Sequence, residues 1–153
     1  MILLNVMELS QEAFGFEMRS DDDFASVLRR YMAEQKMSIN DLAKKSGLSR
    51  GAVIRYRSGH LPNDYIILVM LCIGLKINLS KAEYLFKLAH FSLGTDKRSI
   101  AFRLLINLSF VSDTTIDECN DYLNHLGFPI MKSTSNFMQE DDYEICTHIS
   151  KIE

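Results

Sequence analysis

The sequence has 153 residues, of which 47% are hydrophobic, with only 2 prolines and 7 glycines and a net charge of −3 at neutral pH. These values suit one domain, or a small domain with an appended half, with a real core and helices rather than a turn-rich β fold, and with disorder expected only at the ends. Three widely spaced cysteines without a CxxC pair exclude a disulfide scaffold and a zinc ribbon. We expect a cytoplasmic protein, because residues 1–7 lack the basic leader of a signal peptide and the longest apolar run, residues 65–73, is too short to span a bilayer.

Charge is unevenly distributed along the chain. Residues 1–23 carry a net charge of −5, and residues 91–153 carry −5 again. Residues 24–90 carry eleven Lys or Arg against four Asp or Glu, a net charge of +7. Such a concentration of positive charge is typical of a surface that binds nucleic-acid phosphates. The alternative is that these basic residues only solvate helix faces.

The N-terminal part of the chain contains one predicted helix. Residues 1–20 mix apolar and polar positions in a way that does not decide between a strand, a short helix and an arm that packs on a partner. Residues 21–23 are three aspartates, whose carboxylates suit the start of a helix. The helix is predicted over residues 24–35, with an apolar stripe of Phe24, Val27, Leu28 and Tyr31.

Residues 38–59 are typical of two short helices joined by a tight turn. Ser38 can cap the first helix, with Asp41 completing a capping box, and Gly47 suits its left-handed end. Ser49 can cap the second helix and Gly59 can close it. The outer face of this second helix carries Arg50, Gly51, Ile54 and Arg55. Arginines and small residues on a helix held against a supporting helix suit the reading of a major groove.

Four more helices are predicted after this pair. The first starts at Asn63 or Asp64, ends near Gly74 and is apolar almost all round, which predicts the buried axis of the core. The next is opened by a capping box over residues 80–83 and runs to about His90. A third starts at Asp96 or Lys97, with an inward face of Ile100, Leu104, Leu105 and Leu108. The last is opened by a capping box over residues 115–118, and beyond residue 132 the chain is polar and acidic.

Residues 38–62 resemble the helix-turn-helix of the Cro and phage-repressor (XRE-type) regulators, and a weaker resemblance extends over residues 24–79. The features that carry it are Leu42-Ala43, Gly47-Leu48-Ser49, Val53, Tyr56, Ser58-Gly59 and Pro62. The resemblance implies an all-α fold, a lambda-repressor-like helix-turn-helix bundle with a C-terminal helical extension. It divides the chain into an N-terminal arm (1–23), a DNA-binding domain (24–79), a helical extension able to dimerise (80–131) and an acidic, flexible tail (132–153).

The resemblance also implies a function and a site. The protein would be a DNA-binding transcriptional regulator and a repressor, acting as a homodimer because one such module reads few base pairs of double-stranded DNA. Its base contacts would be Arg50, Gly51, Ile54 and Arg55, with both arginines able to donate to guanine. Its phosphate contacts would be Ser38, Ser49, Ser58, His60 and Asn63. Arg57 stands where the family often has an acidic residue, which leaves its role open, and we expect a phosphate contact there as well.

Residues typical of catalysis are not found in the sequence. The four histidines are scattered without metal-ligand spacing, and the sequence holds no GxGxxG motif, P-loop or nucleophile elbow. We therefore expect no enzyme, no catalytic or metal-binding residue, no cofactor and no membrane partner, and nothing indicates a small-molecule effector.

Two further positions depart from the family pattern. Ile39 stands where members often carry a glutamine that orients a base-reading side chain, and Ile54 is apolar on the face that would meet DNA. Both would suit an alternative from another class, a phage- or mobile-element-derived protein-interaction module (inhibitor or antitoxin) on the same fold. Replacing Arg50 and Arg55 by alanine would separate the two hypotheses.

Overall fold

The structure, a computed structural model, describes residues 18–132. This part of the chain forms seven α-helices and contains no strand, which confirms the all-α prediction. In chain order the helices are α1 (Phe24–Glu34), α2 (Ile39–Ser46), α3 (Arg50–Arg57), α4 (Tyr65–Leu75), α5 (Leu79–Leu88), α6 (Lys97–Ser112) and α7 (Ile116–His125). The expectations for the N-terminal arm up to residue 17 and for the acidic tail from residue 133 lie outside the described residues.

Local capping signals set most of the helix starts. The predicted capping boxes form at Ser38 with Asp41 and at Thr115 with Glu118. A third box forms at Asp23, whose carboxylate accepts from the N–H of Ser26. The box predicted over residues 80–83 is wrong. Asn78 caps α5 instead, because its side-chain oxygen accepts from the N–H of Lys81 at 2.9 Å and starts the helix earlier.

Helix α4 is the axis of the core, as predicted. All residues from Ile66 to Leu75 are buried, and α2, α5, α6 and α7 pack against it. Gly74 permits the close approach of α2, since a Cβ atom at this position would lie 2.8 Å from the backbone N and Cα of Ser46. The glycine is therefore needed for packing, and it fixes the position of α2 on the core.

The predicted inward face of α6 is largely wrong. Ile100 is 48% exposed and Leu104 is 64% exposed, and of the predicted set only Leu105 is buried. The helix is turned so that Ser109 lies inward, where its hydroxyl donates to the carbonyl of Ile73 at 2.8 Å. The buried residues of α6 are Ser99, Ala101, Phe102, Leu105, Ile106 and Ser109.

Residues 80–131 share one hydrophobic core with the helices before them. Phe86, Phe102, Leu123 and Met131 belong to the same buried cluster as the α4 residues. The α6–α7 junction is attached by Lys76, whose ammonium pairs with the Asp113 carboxylate at 3.3 Å and donates to the carbonyl of Thr114. The α-helical extension is therefore packed onto the helix-turn-helix rather than attached only by the chain.

Asp22 anchors the chain just before α1. Its side chain is 3% exposed, pairs with the Arg30 guanidinium at 2.9 Å and accepts from the Tyr84 hydroxyl at 2.6 Å. Burial opposes ionisation of Asp22, but the hydrogen bonds from Arg30, Tyr84 and the N–H of Arg19 outweigh it and lower its pKa to about 2. Asp22 therefore ties α1 to α5 as a buried carboxylate instead of acting on the α1 dipole.

Candidate nucleic-acid interface

Helix α3 has one buried side and one outward side. Ala52, Val53 and Tyr56 are buried, and the helix packs on α1 and α2. The four predicted base contacts share the other side: Arg50 is exposed, Ile54 is 38% exposed, and Gly51 and Arg55 are half-buried. The structure therefore brings these four residues together on a single outward face.

Arg50 is held in place by a neighbour that the sequence interpretation missed. Its Nε donates to the side-chain oxygen of Asn40 at 2.7 Å, a short bond strengthened by the charge of the guanidinium. Asn40 is exposed on the first turn of α2, so the bond crosses from the supporting helix to the outward helix. Because Nε is the donor, both terminal nitrogens of Arg50 can still donate to another group.

The position at which the family often carries the orienting glutamine has another role here. Ile39 is half-buried and packs against the core, so it cannot orient a polar side chain. The orienting contact is made one residue later, by Asn40. The departure at Ile39 therefore does not leave Arg50 unsupported.

Arg55 lies over Gly51. A Cβ atom built on Gly51 would lie 3.8 Å from the Nη1 of Arg55, which is an ordinary contact distance. The fold thus does not require glycine at this position. Because Gly51 has no side chain, nothing projects from the outward face of α3 between Arg50 and Arg55, which would let the helix backbone approach a ligand closely.

Two predicted phosphate contacts, Ser38 and Ser49, are N-caps. The hydroxyl of Ser38 accepts from the N–H of Asp41 at 3.0 Å, and that of Ser49 accepts from the N–H of Ala52 at 3.1 Å. The proton of each hydroxyl is still available to donate to a phosphate, and both hydroxyls lie at the positive end of a helix dipole. The backbone and side-chain hydrogen bonds with Ser38 also lower the pKa of Asp41.

The other predicted phosphate contacts are the last residue of α3 and residues that follow it, and several of their polar groups close the helix. The Ser58 hydroxyl donates to the carbonyl of Ile54 at 2.8 Å, and the N–H of His60 donates to the carbonyl of Arg55 at 3.1 Å. The half-buried Arg57 accepts from the Arg29 guanidinium through its carbonyl. The last of the set, Asn63, is exposed in the loop before α4.

The positive charge of residues 24–90 is partly used within the protein. At least five of its eleven basic residues have partners inside the fold: Arg29 with the Arg57 carbonyl, Arg30 with Asp22, Arg50 with Asn40, Lys76 with Asp113 and Lys81 with Glu34. Lys44 and Lys45 line a concavity of about 440 Å³ together with Asp113 and Asp117. The net charge of the segment therefore overstates what it can offer to phosphates.

Helix α3 is the most basic part of the outward surface. It carries Arg50, Arg55 and Arg57 and no acidic residue in its eight positions.

Among residues 18–132, no group of three or more His, Cys, Asp or Glu side chains could hold a metal ion. No helix in the same range is long and apolar enough to cross a membrane.

A comparison with family models supports this description of the surface. Residues 27–79 match the model of the Cro/C1-type HTH DNA-binding domain. The match runs from α1 through α4 to the first residue of α5, and it includes the whole of α2, the turn and α3. Searches of curated proteins and of solved structures found no significant match to the chain.

Proposed function

Because residues 27–79 form a Cro/C1-type helix-turn-helix DNA-binding domain, we propose that the protein is a sequence-specific transcriptional regulator that inserts α3 into the major groove of double-stranded DNA. The observation that carries the proposal is the outward face of α3, where Arg50 is fixed by Asn40 and Arg55 lies over a glycine. A guanidinium held in one orientation before binding loses less entropy on contact with a base.

In this proposal the two arginines read guanines. Each can donate to O6 and N7 of one guanine, which discriminates against the wrong base by about 1–3 kcal/mol. The exposed Ile54 contacts the methyl group of a thymine between them, and Gly51 allows the backbone of α3 to approach the base edges. Sequence preference therefore comes from one face of one helix.

The phosphate contacts orient α3 in the groove. Ser38 and Ser49 donate their hydroxyl protons from the starts of α2 and α3. Arg57 at the end of α3, and Ser58, His60 and Asn63 after it, contact the DNA backbone. One helix of eight residues reads only a few base pairs, so we propose that the protein binds as a homodimer to a palindromic site. Occupying that site would keep the transcription machinery off it, which makes the regulator a repressor.

The test is fluorescence anisotropy with the DNA upstream of the protein's own gene, supplemented by sites selected from a random library. Specific binding should weaken with salt, with a slope of log K against log salt of roughly −4 to −8, since several phosphates are neutralised per dimer. Arg50→Ala and Arg55→Ala should each weaken specific binding by about 1–3 kcal/mol per half-site without changing the melting temperature. Lys87→Ala is the matched control, because Lys87 is an exposed cation on α5, outside the matched domain.

A folded protein that binds no DNA even at low salt would refute this function. It would favour the second candidate, a protein-interaction module, for which one observation speaks: the apolar side chains of Ile54 and Leu61 are 38% and 45% exposed on and just after α3. In that case Ile54→Ala should strongly weaken binding to the protein partner, whereas Arg50→Ala should have little effect. If the protein binds DNA instead, Arg50→Ala should weaken DNA binding more than the change at Ile54.

A further inference from the structure

Helix α6 is apolar on two opposite faces. One face is buried in the core, and the other carries Ile100, Leu104, Leu108 and Val111, at spacings of four, four and three residues. These spacings place the four side chains on one side of the helix, and we call them the outer stripe. Ile100, Leu104 and Val111 are 48%, 64% and 72% exposed. A surface helix usually presents charged residues there.

The outer stripe is free of charge over most of its length. The charged residues of α6 are Lys97, Arg98 and Arg103, and residues 104–112 contain none. A partner with a strongly charged surface would find no opposite charge on the outer stripe to pair with. A second copy of the same stripe would meet no like charge across a two-fold axis, where every side chain faces its own equivalents.

The exposed apolar surface is concentrated in this part of the described chain. Seven of its ten exposed large hydrophobic residues lie between residues 100 and 130: Ile100, Leu104, Phe110, Val111, Tyr122, Leu126 and Ile130. Tyr122 lines a shallow concavity with Ser112, so the apolar surface of α7 adjoins the end of α6. A stable dimer buries roughly 800 Å² on each partner, and the outer stripe with the exposed apolar side chains beside it offers the largest concentration of such surface in the described chain.

We propose that the outer stripe of α6 is the contact through which two copies of this chain form a dimer. The stripe is about 16 Å long at 1.5 Å per residue, enough for two α6 helices to pack side by side. Its position suits this role, because α6 packs on α4 and α5, whereas α3 packs on α1 and α2. The dimer face and the DNA-reading face are thus on different elements and can be occupied together.

The choice of a second copy as the occupant rests on the proposed function, since a helix-turn-helix that reads a palindrome needs a two-fold partner. The stripe lies outside the matched domain, at residues 100–111 against residues 27–79. The dimer itself, however, is measured without DNA. A dimer that binds no DNA would refute the function and keep the interface, whereas a monomer that binds DNA would refute the interface and keep the function.

The experiment is sedimentation velocity of the full chain across micromolar concentrations. The wild type should sediment as a dimer, and the double variant Leu104→Glu, Val111→Glu should raise the dimer dissociation constant at least tenfold, because four carboxylates then face each other across the axis. Leu61→Glu is the matched control: Leu61 is an exposed leucine, 45% accessible, in the loop after α3, and its replacement should leave the dimer unchanged.

A cysteine cross-link provides a second readout that does not depend on a destabilising change. In a Cys146→Ser background, where both remaining native cysteines are buried, Leu104→Cys should be joined between chains by a short bifunctional maleimide, whereas Leu61→Cys and the background protein should not. A wild type that is monomeric at every concentration would overturn the proposal, whether or not another segment of the chain covers the stripe. A dimer that survives the double variant and does not cross-link at residue 104 would overturn it as well.

Discussion

The bond between Asn40 and Arg50 leads to a quantitative prediction about DNA recognition. In the proposed function Arg50 contacts a guanine in each half-site, so Arg50→Ala should weaken specific binding by about 1–3 kcal/mol, or roughly 5- to 150-fold, per half-site. Asn40→Ala leaves Arg50 in place but removes the acceptor 2.7 Å from its Nε. The arginine then has to be ordered on binding, which should cost about 1 kcal/mol, or roughly fivefold in affinity.

The two changes should not be additive. If Asn40 acts only by orienting Arg50, its replacement should have no further effect once the arginine is gone. The coupling energy of the double-mutant cycle should then equal the whole effect of Asn40→Ala, about 1 kcal/mol. Both residues are exposed, so the melting temperatures of all four proteins should agree closely.

The assay is anisotropy on the selected site and on a variant site in which one guanine is replaced by 7-deazaguanine, which lacks the N7 acceptor. Asn40→Ala should reduce the preference for guanine and leave the salt slope unchanged, because the number of neutralised phosphates is the same. Equal effects of Asn40→Ala with and without Arg50 would refute the reasoning, since Asn40 would then contact the DNA by itself.

Two further predictions concern the scaffold. Gly74→Ala should lower the free energy of unfolding, measured in urea, by about 1–3 kcal/mol, because the added methyl group would overlap the backbone of Ser46. The control is Gly51→Ala, which should be neutral or slightly stabilising, because its methyl group would meet no atom closer than 3.8 Å. The Asp22 ion pair should contribute about 2 kcal/mol at pH 6, and this should be lost as the pH falls from about 4 towards 2, because the pKa of Asp22 is lower in the folded protein. The difference in unfolding free energy between the wild type and Asp22→Asn should therefore narrow by about 2 kcal/mol between pH 6 and pH 2. A difference that stays constant with pH would show that the charge of Asp22 is not stabilising. A Gly74→Ala variant as stable as the wild type would show that α2 can move away from α4.

Most of the helix boundaries follow from local signals in the sequence. Ser38 with Asp41 and Thr115 with Glu118 act over three residues, and Gly47 adopts the left-handed φ of 79° that the end of α2 needs. The rotation of α6 could not be predicted in the same way. Its sequence offers two apolar faces, and the choice between them depends on a contact between Ser109 and Ile73, 36 residues apart.

The candidate site, like the helices, could be predicted only in part from the sequence. Periodicity alone places Arg50, Ile54 and Arg55 on the side of α3 away from Val53, and the structure agrees. The Asn40–Arg50 bond was missed, because it depends on the angle between α2 and α3 and not on the spacing of the two residues. Charge counting also failed in part, since it assigns Arg30 and Lys76 to a DNA-facing surface although both have carboxylate partners inside the fold.

The packing order would mechanically connect the proposed DNA reading and the proposed dimerisation. The outer stripe lies on α6, α6 packs on α4, α4 packs on α2 through the close contact at Gly74, and α2 carries the asparagine that orients Arg50. All of these elements share one buried core, so little motion can be absorbed between them. Two copies joined at the outer stripe would therefore hold their α3 helices at one fixed separation, and a palindrome with altered spacing should be bound poorly. Enlarging Gly74 would disturb this separation even though it touches neither the DNA nor the dimer face.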